Sequence, residues 1–170
     1  NEYLTVANVF NGDLGWIKFL QELGLKDYFF GYLWSLMALG GVFAPLLASK
    51  LIKKNKERKF LIEMLILSII LTALIIFVSQ AIFAALILIA AVFLWRMIAP
   101  AERVYFHRFI PTKSRATIGS LESMLMSIMG LIALPIVGLS VDIMGAQLTI
   151  FIGALLTIPA VISYWTIEED

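Results

Sequence analysis

The sequence predicts an all-α, polytopic membrane helix bundle built from two inverted three-helix repeats. Three observations carry that expectation. Apolar residues make up 61% of the chain and mean hydropathy is +0.96, whereas soluble domains are roughly 45–50% apolar. Apolar runs close to the ~20 residues that cross a bilayer recur along the chain. Lysine and arginine gather in two short loops, two crossings apart.

The elements follow in order. Residues 4–23 form the most polar segment, with Asn8, Asn11, Gly12, Asp13, Gly15, Lys18 and Gln21. They read as a helix, or part of one, with one face toward water, because lipid does not tolerate such a face. Residues 30–51, 60–78, 81–105 and 146–165 are clear spans, and 118–139 is apolar apart from Glu122 and a few hydroxyls. Between them lie the charged loop Leu51–Lys59, a Ser79-Gln80 turn, the loop Phe109–Thr117 with Pro111 and Arg115, and a polar turn "SVDIMG" over 140–145.

Orientation follows from the short loops. Lys50, Lys53, Lys54, Lys56, Arg58 and Lys59 crowd one of them. Arg103, Arg108, Lys113 and Arg115 crowd the other, while the opposite side offers Lys26 beside Asp27, and Asp142. Loops 51–59 and 106–117 are therefore expected in the cytoplasm, in a protein of the cytoplasmic membrane. The basic runs read as topology determinants rather than nucleic-acid or lipid-phosphate sites.

The six segments make one bundle of two triplets, 4–78 and 81–165, inverted because an odd number of crossings separates them. Nested inverted triplets with a binding site near the midplane are a known transporter plan. Asp13 lies about 16 Å from the end near Gly24, and Arg96 about 15 Å from the opposite end near Phe106, at 1.5 Å per residue. Both fall near the middle of a core about 30 Å thick, each on the first helix of its triplet. Asp13, Arg96, Asn8, Asn11, Trp16 and Trp95 are the candidate solute-binding or coupling residues. Two alternatives stay open: Arg96 pairs with Glu122 or Asp13 to lock the bundle, and Asp13 caps a broken helix at "NGDLG" rather than carrying a proton. Glu102 and Arg103 read as snorkelling boundary residues, and His107 as an inert one. Gly31, Gly40, Gly41 and Ala44 permit close helix contact, Pro45, Pro100, Pro135 and Pro159 bend helices, and Met124, Met126 and Met129 read as packing.

Several chemistries are excluded or disfavoured. The chain has no cysteine and one histidine, His107, so no disulfide, thiolate site, cysteine nucleophile or paired-histidine zinc site is available. No G-x-x-x-x-G-K-[ST] loop occurs. Asp13 and Asp142 fall at different depths, against an aspartyl intramembrane enzyme. The chain is read as a non-enzyme without metal or cofactor. Asn1 and the absence of a signal-like start make it look like part of a longer polypeptide.

Three stretches carry a family resemblance. "LGLKDYFFGYLWSLMALGGVFAPLLASKLIKK", "IPTKSRATIGSL" and "LPIVGLSVDIMG" resemble, in order and interval, the C-terminal half of a major facilitator superfamily transporter, helices seven to twelve. Arg115, Ala116 and Thr117 match a recurrent Arg-Ala-Thr before helix eleven, and Gly138, Asp142 and Gly145 match the end of that helix. The family's acid–base pair after helix eight falls on Ser49-Lys50, where the acid is missing. Ser49, Lys50, Arg115, Thr117, Glu122 and Asp142 are the candidate gating or structural-motif residues. The resemblance implies a permease that moves a small-molecule solute by symport or antiport. It also implies a bundle that needs an N-terminal half, or a second copy, in the lipid bilayer. A non-transporting scaffold or sensor on the same fold is the alternative.

Overall fold

The computed structural model describes residues 2–10, 12–53, 56–109 and 114–166. The side chains of Glu2, Tyr3, Thr5, Asp13, 106–109, Arg115 and Ala116 lie outside that description. The described residues contain helices and no strand. They are α1 (Glu2–Phe10), α2 (Asp13–Glu22), α3 (Tyr28–Leu51), α4 (Glu57–Ala73), a 3-10 turn (Leu74–Phe77), α5 (Ala81–Phe109), α6 (Arg115–Met144), α7 (Ala146–Leu155) and α8 (Ile158–Thr166).

Five stretches are long and apolar enough to cross a membrane: Tyr28–Leu51, Glu57–Phe77, Ala81–Tyr105, Thr117–Met144 and Ala146–Thr166. The first segment differs. It is cut into α1 and α2, of 9 and 10 residues, each too short to cross alone. At the cut, Gly12 is extended (φ −75°, ψ 179°) and its N–H donates to the Val9 carbonyl at 3.1 Å. A β-carbon there would stand 2.9 Å from that carbonyl oxygen, so the close approach requires glycine.

Other boundaries also depart from expectation. The last span is not one helix: α7 ends at Leu155 and α8 starts at Ile158, placing Pro159 in a first turn, where its missing N–H costs little. The turn expected over 140–145 is helical to Met144. Only Gly145, at φ +88°, breaks the chain, a conformation that favours glycine. Glu57, Arg58 and Lys59, expected in a loop, open α4; Lys54 and Asn55 lie outside the described residues, as do residues 110–113.

Packing crosses between the triplets. α5 lies against α3 and α4, while α1 and α2 lie against α6 and α7. α4 meets α7 and α8. The first helix of each triplet therefore packs on the second and third of the other. The apolar interior forms two layers. One includes Phe19, Leu20, Leu33, Ile75, Leu88 and Ile150, at the end carrying Gly24 and Gly145. The other includes Ala48, Leu61, Leu65, Ile98, Ala101 and Tyr164, at the end carrying the basic loop. Gly40, Gly41 and Ser68 fall between the layers, whereas Asn8 is flanked by Val6 and Val9 of the first and Arg96 by Trp95 and Met97 of the second, their own side chains exposed.

Two long-range side chains close the ends. Gln147 Nε2 donates to the carbonyls of Ile75 (2.8 Å) and Val78 (3.0 Å), satisfying acceptors left by the 3-10 turn. Arg58 Nε and Nη2 donate to the carbonyls of Tyr164 (2.7 Å) and Trp165 (2.6 Å), placing a cation on the last carbonyls of α8. The exposed Lys59–Glu63 pair, at 3.7 Å, contributes little beside these. Gln147→Leu and Arg58→Ala are each expected to destabilise the protein by about 1 to 3 kcal/mol, the cost of stranded acceptors. A lowered thermal midpoint in each variant, with Lys59→Ala near the parent, is the expected result.

Candidate functional site

The seam between the apolar layers opens into a cleft of about 960 Å³. α1 and α2 contribute Asn8, Gly12 and Trp16; α3 contributes Gly41 and Pro45; α5 contributes most of the rest, Trp95 and Arg96 among them. α5 does so because residues three, four and seven apart share a helix face: Arg96, Ala99, Pro100 and Arg103 all line the cleft.

Arg96 is exposed to this space. A β-carbon at Gly41 would stand 3.1 Å from its Nη1 and 3.5 Å from its Cζ. The missing side chain of Gly41 thus lets the guanidinium lie on the backbone of α3. Gly40 serves α5 similarly, its β-carbon position being 3.4 Å from the Phe93 ring. Among the described side chains, no carboxylate comes within 4.0 Å of the guanidinium. Glu122 is half-buried on α6 and does not line the cleft.

Of the residues expected to bind or couple, the fold gathers Asn8, Trp16, Trp95 and Arg96 on one cavity. Trp16 is buried in its wall, at 2% exposure, and Trp95 is half-buried. Asp13 is the first residue of α2, at the helix break; its side chain and all of Asn11 lie outside the described residues. The motif residues are elsewhere. Ser49 Oγ donates to the Leu46 carbonyl at 2.7 Å, and Lys50 is exposed in the last turn of α3. Thr117 accepts from Ser120 Oγ through its carbonyl at 2.9 Å, Asp142 is exposed near the end of α6, and the Arg115 side chain is outside the description.

Two residues assigned to the membrane boundary belong to the cleft wall: Glu102 and Arg103. Glu102 is half-buried, not snorkelling, and its Oε1 accepts a 2.9 Å hydrogen bond from Tyr164 Oη on α8. The Tyr105 and Tyr164 rings meet edge to face, centroids 6.1 Å apart. Spacing was the available signal: Arg103 is two turns from Arg96 on one face, about 10.5 Å along the axis.

The cysteine-free chain permits a direct test of water access. Arg96→Cys and Asn8→Cys are expected to react with a membrane-impermeant thiol reagent. Ile70→Cys, on a 55% exposed apolar position of α4 outside the cleft, is expected to resist it. Equal reactivity at all three would contradict a selectively wetted cleft.

No curated protein and no solved structure matches the chain. A family model does: that of the Major Facilitator Superfamily, over residues 3–170. Five apolar crossings, triplets packed across one another and a match over nearly the whole length lead to one conclusion: this chain is an integral membrane protein belonging to the Major Facilitator Superfamily of transporters.

Proposed function

We propose that the chain is the C-terminal half, helices seven to twelve, of a secondary active transporter that moves a small solute by alternating access. The observation that carries this reading is Arg96, an exposed cation on an apolar helix long enough to cross a membrane, opening into a cleft of about 960 Å³. Intramembrane charges of this kind mark substrate or ion pathways.

α3 and α6 support the same reading. Only 17% of each spanning window is buried, leaving broad apolar faces for lipid and for a partnering half, either the N-terminal half of the same polypeptide or a second copy. The basic loops lie on the cytoplasmic side, following the positive-inside tendency. Asp13, at the break between α1 and α2, is the coupling carboxylate, protonated in one stage of the cycle.

The test is solute flux in proteoliposomes of the complete transporter, with and without a pH gradient. Arg96→Ala is expected to lower uptake at least tenfold. Asp13→Asn is expected to abolish the response to the gradient while leaving exchange of bound solute. Normal transport in both variants would remove these residues from the mechanism. Solute binding without flux in the parent protein would favour a sensor or scaffold on the same fold.

A further inference from the structure

The cleft's charge pattern narrows the class of solute. Two guanidiniums line it, those of Arg96 and Arg103, and both are exposed. The one described carboxylate on the wall, Glu102, already accepts the Tyr164 hydroxyl at 2.9 Å. It lies six residues from Arg96, about 9 Å along the helix axis. The wall around Arg96 is otherwise mostly apolar, with Trp95 beside it and Trp16 on the facing helix.

We infer that the solute is an organic oxyanion, its carboxylate or phosphate head docked on Arg96 and its apolar body laid against Trp95. This rests on the transporter reading above. A planar guanidinium presents paired donors that match an oxyanion. The guanidinium occupies space that a side chain at residue 41 would fill, 3.1 Å from Nη1 to the β-carbon position of Gly41. Closure supplies the stronger argument. When the cleft occludes, water leaves, and a guanidinium with no described carboxylate side chain within 4.0 Å is strongly disfavoured in the membrane interior. A neutral or cationic solute leaves that charge exposed to the apolar layers. An anion neutralises it, so the cleft closes over the anion.

The experiment uses four probes with one ring and different heads: benzoate, phenyl phosphate, benzylamine and benzyl alcohol. Each is tested on the complete transporter for binding in nanodiscs and for flux in proteoliposomes. Benzoate or phenyl phosphate is expected to bind, and the better of the two identifies the head as carboxylate or phosphate. Affinity for that anion is expected to fall about tenfold or more in Arg96→Ala. The fall should be smaller in Arg96→Lys, which keeps the charge without the fork.

Gly41→Ala is expected to weaken the anion by displacing the guanidinium. The unliganded melting temperature should hold or rise, since alanine favours helix. That variant carries the test if Arg96→Ala fails to fold. Binding of benzylamine or benzyl alcohol as tight as benzoate, no binding of either anion, or an anion affinity unchanged in both Arg96→Ala and Gly41→Ala would overturn the inference. Anion binding without flux upholds the oxyanion site and overturns transport; flux confined to the amine or alcohol does the reverse.

Discussion

A guanidinium in the middle of a bilayer must meet water, a counter-charge or a defect in the lipid. At a helix centre the penalty is about 2.5 to 3.5 kcal/mol on insertion scales. Much of the architecture is compatible with Arg96 because it leaves that position open to the cleft. Its neighbours Trp95 and Met97 join one apolar layer, while its own side chain opens into the cleft. Gly41 yields it space on α3. α1 and α2, rather than a continuous helix, face it across the cleft. Had the layers merged into one core, the charge would have had to leave or find a buried partner.

The second constraint is backbone satisfaction, which is stricter in hydrocarbon than in water. Several interruptions of helices among the described residues come with a local solution. Gly12 closes the end of α1 by bonding back to Val9. The 3-10 turn after α4 gives its carbonyls to Gln147. Buried Thr149 and Thr157 return their hydroxyls to the carbonyls of Gly145 and Gly153 four residues back. Arg58 covers the last carbonyls of α8 from α4, tying the third helices of the two triplets together where α4 and α8 already touch.

How much of this was legible in the sequence depended on the range of the interaction. Hydropathy located the five spans, since an apolar run of that length has few other uses. Arg96, singled out as a charge in an apolar run, lines the cleft, and so do Asn8 and Trp16 of the polar segment 4–23. Composition misplaced helix ends. "SVDIMG" is polar, yet polar residues at a membrane surface sit as readily in a last helical turn as in a loop, and only the backbone of Gly145 ends α6. Glu102 looked like a boundary residue because its partner, Tyr164, is distant in sequence. Arg58 looked like a loop charge for the same reason, its acceptors lying 106 and 107 positions away. No local pattern encodes such pairs; they emerge once α4, α5 and α8 have packed.

Pro45 and Pro100 both stand on the cleft wall. A proline has no N–H, so the carbonyl four residues earlier loses its helical donor. Those carbonyls belong to Gly41 and Arg96 themselves. α3 and α5 thus each lose one helical hydrogen bond beside the point where Gly41 and Arg96 approach one another. Both helices can bend there more readily than elsewhere, at the wall of the cleft itself.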